Sequence, residues 1–305
     1  MTVLDAHVHL WDLKERPQPW TDPFPSLRRS FLLPDLEKVL GDGGVDAAIV
    51  VQAGDTRGET LDLLALAGTT PRLAGVVGWV DLDGPDVSGA VAALRAGPGG
   101  GKLVAVRHQL QVERDPGYLA RPGVRDGLAV VAEAGLAYDV VVSSWQLPLV
   151  TETAAALPEA RFVLDHAGKP PLAVGDLGPW RADLARLAEL PNVAVKLSGL
   201  VTEADRATWS PASLSPAIEH VLACFGADRT MAGSDWPVCL LAAGYARVVE
   251  LAMSLVAGLS EAERTALFAS TAIKAYRMGG SSRGADGAGG GAWLLPTRPS
   301  RRSSR

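Results

Sequence analysis

Short apolar segments alternate along this chain with amphipathic stretches of helical period. Eight segments rich in Val, Ile, Leu and Ala have the length and composition of buried strands, namely residues 3–9, 45–53, 73–81, 103–109, 138–143, 161–166, 193–198 and 229–235. Helical periodicity predicts helices between them, for example over residues 35–40, 124–134, 177–190, 218–225 and 246–256. Strict alternation of this kind indicates parallel strands joined by right-handed crossovers.

Two architectures satisfy the pattern, a closed (β/α)8 barrel and an open, doubly wound sheet. Polar residues favour the barrel, because they occur where many different strands end: His7, His9, Gln52, Asp81, Arg107, Gln109, His166, Lys196, Ser198 and Asp235. A closed barrel gathers the ends of all its strands at one rim, whereas an open sheet binds its ligand at a single crevice. We therefore predict an α/β fold, a single-domain (β/α)8 TIM barrel over residues 1–278.

Length and composition agree with one barrel, and they identify two segments that are not part of its repeating strands and helices, residues 10–33 and 279–305. The chain has 305 residues, of which 48% are hydrophobic, enough for a large core. Residues 10–33 are too long for an idle connection, so we expect this first βα loop to fold over the barrel mouth. Residues 279–305 are rich in Gly, Ser and Arg, and we predict that they form a disordered tail.

Charge and cysteine usage limit the partners and the compartment. A formal net charge of −5 offers no attraction for phosphate backbones or anionic lipids, so we expect no nucleic acid and no membrane as partner. No run of about 18 apolar residues occurs that could cross a bilayer. Only two cysteines are present, and no apolar leader precedes the first strand. We therefore predict a cytoplasmic protein, either a monomer or a homodimer.

The first strand carries the first candidate for chemistry. In Leu4-Asp-Ala-His-Val-His9, a period of two places Asp5, His7 and His9 on one face and the intervening apolar residues on the face that meets the helices. The two imidazoles would then point into the barrel, spaced to ligate one cation or to polarise one carbonyl. A bare His-x-His pair is incidental in many proteins, and its place on the first strand is what favours a function.

Two further segments end in candidate groups at the same rim. His166 follows the apolar run Phe162-Val-Leu-Asp165, and strict alternation gives it the opposite orientation to Asp165, which we interpret as a loop or supporting residue. Asp235 follows Met231-Ala-Gly-Ser234 and precedes Trp-Pro, which ends the last strand. A carboxylate there could accept a proton from water, although an aspartate capping the next helix is the structural alternative.

These motifs in this order resemble the amidohydrolase superfamily. The matching segments are residues 5–9 (DAHVH), 164–170 (LDHAGKP) and 233–237 (GSDWP), and together they extend over nearly the whole barrel. With residues 106–109 (VRHQ) and 195–200 (VKLSGL), the chain looks like the branch that contains sugar lactonases and pyrone-dicarboxylate lactonase. The resemblance implies a site lined by His7, His9, His166 and Asp235.

The resemblance also bears on the metal. Two-metal members of the superfamily have a bridging Lys or Glu on the fourth strand and a further His on the fifth, and neither ligand is evident here. We therefore expect at most one ion, zinc or another divalent metal, held by His7, His9, His166 and Asp235. The likeness to the lactonases leaves a metal-independent enzyme as the alternative.

Basic and aromatic residues at the predicted rim complete the candidate site. Arg107 and Lys196 point inward by alternation, and we predict that both stabilise developing negative charge, with Arg107 also binding the substrate. His108 faces outward by strict alternation unless a bulge turns it, and we include it among the candidates to bind the substrate. Four tryptophans fall in the predicted mouth and are candidates to pack on sugar rings, or simply to fill space under loops: Trp11, Trp20, Trp145 and Trp236.

Together these residues predict a hydrolase that opens the ring of a sugar-derived lactone. Asp235 would act as the general base that activates water, and His166, Arg107 and Lys196 would assist at the carbonyl. A pyrone-dicarboxylate-type lactonase and a decarboxylase on the same barrel are the alternative chemistries. A non-catalytic barrel that binds a sugar is the alternative from another class, since fold alone does not separate these functions.

Overall fold

The computed structural model describes residues 1–279 and shows a closed barrel of eight parallel strands. The strands follow one another around the barrel in chain order: β1 (Leu4–Val8), β2 (Ala47–Val51), β3 (Leu73–Gly78), β4 (Leu103–His108), β5 (Ala137–Val140), β6 (Arg161–Leu164), β7 (Val193–Leu197) and β8 (Thr230–Ala232). A parallel bridge between Val8 and Trp236 closes the ring, and the backbone N–H of Asp235 donates to the carbonyl of His7 over 2.9 Å. The predicted TIM barrel is confirmed.

Helices alternate with the strands, as the hydrophobic pattern predicts. In the described part of the chain they are α1 (Leu33–Asp42), α2 (Arg57–Thr69), α3 (Val87–Ala96), α4 (Pro122–Glu133), α5 (Leu147–Ala156), α6 (Gly178–Ala188), α7 (Leu200–Glu203), α8 (Pro211–Phe225), α9 (Tyr245–Leu255), α10 (Glu261–Thr265) and α11 (Thr271–Ala275). None of the helices within residues 1–279 has the length and apolar content needed to cross a membrane.

The apolar core has two parts. The larger cluster lies between the strands and the surrounding helices and includes Phe162 and Leu164 of β6. The smaller cluster fills the barrel interior, where Ile49 and Val163 pack with Tyr276, which follows α11. Because α11 contributes to this inner cluster, the last helix closes the end of the barrel opposite the strand carboxyl ends.

The first strand departs from the strict alternation that its sequence predicts. Its pairing with β2 shifts between Asp5 and Val8, so that three steps along β1 match two along β2. Leu4 and Ala6 therefore join the inner cluster, and His7 follows them into the interior. The assignment of Asp5 to the face of the histidines was wrong, because its carboxylate accepts from Tyr245 Oη of α9 at 3.1 Å.

The observed elements are shorter than predicted at their ends, where turns replace regular pairing. Strand β6 ends at Leu164 and β8 at Ala232, whereas the apolar pattern extends them to residues 166 and 235. The long first βα loop does reach the mouth, since Gln18 and Trp20 line the cavity there. The predicted tail, residues 279–305, lies outside the described residues apart from Gly279.

Candidate active site

The carboxyl ends of the strands surround a cavity of about 330 Å³. Its polar walls come from most of the βα loops: His9, Gln18, Trp20, Asp55, Arg107, Gln109, Gln111, His166, Lys169 and Asp235. This is the rim at which catalytic residues of (β/α)8 enzymes lie. The structure therefore brings three of the predicted groups, His9, His166 and Asp235, to one opening, with Arg107 beside them.

His7, His9 and Asp235 converge on one point at the floor of this cavity. The two Nε2 atoms lie 3.1 Å apart, and Oδ1 of Asp235 lies 3.3 Å from Nε2 of His9 and 3.7 Å from that of His7. A tetrahedral zinc ion with Zn–N distances of about 2.0–2.1 Å separates its ligand atoms by roughly 3.3 Å. The three donor atoms thus fit a single divalent ion.

The contacts behind the two rings bear on the tautomer that such an ion needs, with Nε2 unprotonated. Nδ1 of His9 lies 2.8 Å from the carbonyl oxygen of Val51, which can only accept, so Nδ1 donates and Nε2 is the nitrogen that faces the other donor atoms. Nδ1 of His7 has both a donor, Lys196 Nζ at 3.1 Å, and an acceptor, Oδ1 of Asp165 at 3.3 Å, so these two contacts do not fix its tautomer. Burial lowers the pKa of His7 well below its usual value, so this ring is neutral.

His166 is presented by a left-handed turn rather than by the strand before it. Phe162 and Leu164 pack against the helices, so continued alternation would point His166 outward as well. Instead β6 ends at Leu164, and His166 adopts φ +53°, which turns its ring inward to 4.6 Å from that of His7. Burial lowers the pKa of His166 to about 4, and its Nδ1 lies 2.9 Å from Ser198 Oγ.

Asp235 also leaves the strand in a left-handed conformation, with φ +59°. Burial alone would raise the pKa of its carboxyl, but the imidazoles of His166, His9 and His7 hold it below its usual range. One oxygen faces His7 and His9, whereas Oδ2 faces His166 across Gly199. A Cβ at Gly199 would lie 2.8 Å from Nδ1 of His166 and 3.1 Å from Oδ2, so only glycine fits between them.

A buried ionic network lies behind His7. Lys196 Nζ is 2.5 Å from Asp139 Oδ2, 2.9 Å from Asp165 Oδ1 and 3.1 Å from Nδ1 of His7, and its side chain is fully buried. Tyr276 donates its hydroxyl to the Asp139 carboxylate at 2.9 Å. Lys196 does point inward as predicted, but it does not line the cavity. The geometry makes it a supporting group for His7.

Sequence reasoning missed Asp139 of this network, whereas it interpreted Asp165 as a loop or supporting residue. Alternation directs Asp165 inward because Phe162 and Leu164 face the helices, and the left-handed turn that begins at His166 brings that ring inward as well. Lys196 and His7 hold the pKa of Asp165 well below its usual range, against the effect of burial. A carboxylate inside the apolar strand β5 is the signal that could have identified Asp139.

Arg107 reaches the cavity from β4. Its Nη1 donates to Asp165 Oδ2 at 3.0 Å and its Nη2 to the carbonyl of Gln52 at 2.5 Å. Its Nε is buried and has no hydrogen-bond partner among the described residues. A guanidinium fixed at two nitrogens therefore holds a positive charge at the cavity wall.

His108, next to Arg107, does face outward as strict alternation predicts. Its Nδ1 lies 3.2 Å from Asp55 and its Nε2 3.1 Å from Glu113, and its ring stacks on Tyr118 with centroids 4.4 Å apart. It does not line the cavity. Its contacts anchor the Asp55 loop, which does.

The four rim tryptophans occupy three different environments. Trp11 and Trp236 are buried and pack edge-on against Phe31, with centroids 5.2 Å and 5.4 Å from it. Trp145 is 66% exposed and lies outside the cavity lining. Trp20 is the one of the four that lines the cavity. Of the four, it alone is placed to pack on a bound sugar.

Comparisons with known proteins agree with this geometry. The family model of the amidohydrolases matches residues 4–278. An L-fucono-1,5-lactonase of Burkholderia multivorans is 40% identical over 290 residues, which cover 90% of this chain and 96% of that protein. An L-fucono-1,5-lactonase of Burkholderia ambifaria is 37% identical, with 78% and 81% covered.

A solved structure shares both fold and sequence. An amidohydrolase from Burkholderia multivorans, crystallised with bound zinc, is 40% identical and superimposes with a TM-score of 0.86, covering 91% of this chain and all of that one. Three observations lead to the same family: the closed barrel, the convergence of His7, His9 and Asp235, and the match of the family model over residues 4–278. The chain belongs to the amidohydrolase family and is a hydrolase.

Proposed function

We propose that this enzyme hydrolyses the ring ester of a sugar-derived lactone, an aldonolactone such as L-fucono-1,5-lactone. The observation that carries the proposal is the ionised Asp235 carboxylate beside His9 and the neutral ring of His166 in a cavity of small-molecule size. The two relatives that are L-fucono-1,5-lactonases cover most of the chain and support the substrate class.

Asp235 is the general base of the proposed reaction. Its oxygen Oδ2 accepts a proton as a water molecule adds to the lactone carbonyl carbon. The tetrahedral intermediate then collapses: the carbonyl bond forms again, the ring C–O bond breaks, and the ring oxygen takes the proton back from Asp235. The neutral His166 is available to hydrogen-bond the reacting oxygens, because its pKa of about 4 leaves it uncharged near pH 7.

The remaining walls suit a polyhydroxylated ring. The amides of Gln18, Gln109 and Gln111 can each donate to and accept from sugar hydroxyls. Trp20 adds an indole ring whose face can pack on the apolar face of a sugar. A pyrone dicarboxylate would bring two carboxylates to a cavity in which Arg107 and Lys169 are already offset by Asp55 and Asp235, so it fits the charge balance less well.

We further propose that the site holds one zinc ion on His7, His9 and Asp235. Three protein ligands with an open position are typical of catalytic zinc sites. Such an ion polarises a carbonyl oxygen or lowers the pKa of water. The sequence places His166 among the metal ligands. In the structure it forms, with His7 and Asp165, a different set of possible ligands, and we assign its ring to the substrate side of the cavity.

The two cysteines bear on the compartment in which the enzyme acts. Cys224 and Cys239 are both free thiols, as suits a protein of the reducing cytoplasm. We propose that the enzyme acts there as a monomer or a homodimer, without nucleic-acid or membrane partners.

The substrate assignment is tested by ring opening across a panel of lactones. We expect the purified protein to release acid from L-fucono-1,5-lactone and related aldonolactones, followed with a pH indicator and corrected for spontaneous hydrolysis. We expect no comparable rate with 2-pyrone-4,6-dicarboxylate. A higher kcat/KM for the pyrone, or decarboxylation in place of ring opening, would contradict the proposal.

The metal assignment is tested by stoichiometry and affinity, independently of turnover. We expect elemental analysis to find about one zinc per chain, since the three donor atoms meet at one point. His9→Gln should weaken zinc binding about 10- to 100-fold or more in competition with a chromogenic chelator, because it removes a ligand outright. Two ions per chain, or unchanged affinity in the variant, would contradict the assignment.

A further inference from the structure

The segment from His166 to Lys169 is the most strained stretch of backbone in the described chain. Its four residues all have positive φ, namely +53°, +51°, +67° and +53°, and three of them are not glycine. A non-glycine residue held in this region is destabilising, and such strain persists at functional sites where the surroundings enforce it.

Specific contacts enforce the turn. The N–H of Lys169 donates to the carbonyl of His166 at 2.9 Å, and Trp180 Nε1 donates to the carbonyl of Ala167 at 2.8 Å. At Gly168, a Cβ would lie 2.8 Å from Leu147, so the central position closes tightly on α5. The strain is thus maintained by packing on two neighbouring helices, α5 and α6.

The turn places two side chains, not one, on the cavity. His166 and Lys169 both line it, although an extended backbone would direct residues three apart to opposite faces. The charge of Lys169 is close enough to contribute, after burial, to the low pKa of His166. Lys169 therefore lines the same cavity as the proposed water-activating pair of His166 and Asp235.

Lys169 also retains hydrogen-bonding capacity for a ligand. Its Nζ lies 3.5 Å from Glu203 Oε1, longer than the 2.7–2.9 Å of a charge-assisted hydrogen bond, and its side chain is 24% exposed. Lys196, by contrast, is fully buried and committed to Asp139 and Asp165. Of the two lysines, the one at the turn is the one that can reach a substrate.

We propose that Lys169 is a catalytic residue, whose ammonium donates a hydrogen bond to the oxygen that becomes negatively charged when water adds to the lactone carbonyl. This inference rests on the proposed function and adds a group to it. The carbonyl electron pair moves onto that oxygen as the new C–O bond forms, and it returns when the ring C–O bond breaks. Lys169 keeps its proton throughout, while Asp235 carries the proton of the water.

A structural role is the rival explanation, because the Lys169–Glu203 pair ties the turn to α7. The two roles separate in a pair of substitutions. Lys169→Met removes the ammonium and the ion pair together, whereas Glu203→Gln removes the ion pair and leaves the ammonium. We expect Lys169→Met to lower kcat about 10²-fold with a smaller change in KM, and Glu203→Gln to stay within about five-fold of wild type.

Two further variants complete the test. Lys169→Arg should recover part of the lost kcat, because a guanidinium can donate to the same oxygen. Lys38→Met, at an exposed lysine on α1, controls for removal of a surface charge and should leave kcat unchanged. Equal losses in Lys169→Met and Glu203→Gln, or a Lys169→Met enzyme with wild-type kcat, would overturn the proposal.

The role of Lys169 can be tested even if the proposed substrate class is wrong. If the wild-type enzyme opens no aldonolactone, the proposed function is wrong, and the same variants are then compared on p-nitrophenyl acetate. A loss of esterase rate in Lys169→Met but not in Glu203→Gln would still support the role of Lys169. Equal rates in all three would overturn it.

Discussion

Replacing Asp235 with Asn should lower kcat by about 10²- to 10⁴-fold while the barrel stays folded. The amide cannot accept the proton of water near neutral pH, and it has the same size as the carboxyl. The backbone of residue 235 is held by the hydrogen bond to the carbonyl of His7, which the substitution does not touch. Stopped assays on L-fucono-1,5-lactone measure the loss, and thermal unfolding checks the fold.

A matched change controls for the loss of one carboxylate. Asp42→Asn alters an exposed side chain at the end of α1 and should leave kcat as it is. Zinc analysis of Asp235→Asn separates the two roles of the residue, since a variant that keeps its zinc but loses turnover has lost the base. Retention of more than about a tenth of the wild-type rate would remove Asp235 as the general base.

Replacing Lys196 with Met should destabilise the fold by about 3–5 kcal/mol, because it leaves the buried carboxylate of Asp139 without its cation and leaves Asp165 with Arg107 alone. A chain of this size loses about 2–4 °C in Tm per kcal/mol, so we expect a decrease on the order of 10 °C. Activity should fall as well, since His7 loses its support.

The second carboxylate provides the control for this prediction. In the double variant Lys196→Met/Asp139→Asn, the carboxylate that Lys196→Met leaves without a cation is gone, and part of the Tm should return. Lys38→Met, at the exposed end of an i,i+4 pair, should change Tm little. A Lys196→Met protein as stable as wild type would contradict the idea that the network supports the barrel interior.

The sequence predicts the barrel well because its evidence is repeated eight times. Each strand is an apolar run bounded by polar residues, and errors of two or three residues at strand ends do not change the order of elements. The candidate groups at the rim, such as His9 and Asp235, follow from the same rule, since any polar residue at the end of a parallel strand must reach that rim.

Orientation at the site could not be predicted, because it depends on departures from regular structure. The shifted register in β1 separates Asp5 from the face of the histidines, and the left-handed turn that begins at His166 brings this ring inward beside Asp165. Alternation assumes a regular strand, and no sequence rule marks where strain interrupts it. The same limit explains why alternation gave no orientation for Lys169.

The central claim is that water, activated at Asp235, opens an aldonolactone at its carbonyl carbon. Product analysis after reaction of L-fucono-1,5-lactone in H₂¹⁸O tests it most directly. We predict one product, the open-chain sugar acid, with a single ¹⁸O in its carboxylate after correction for the uncatalysed reaction. Label at the hydroxyl carbon, release of CO₂, or no enzymatic acceleration of ring opening would contradict it.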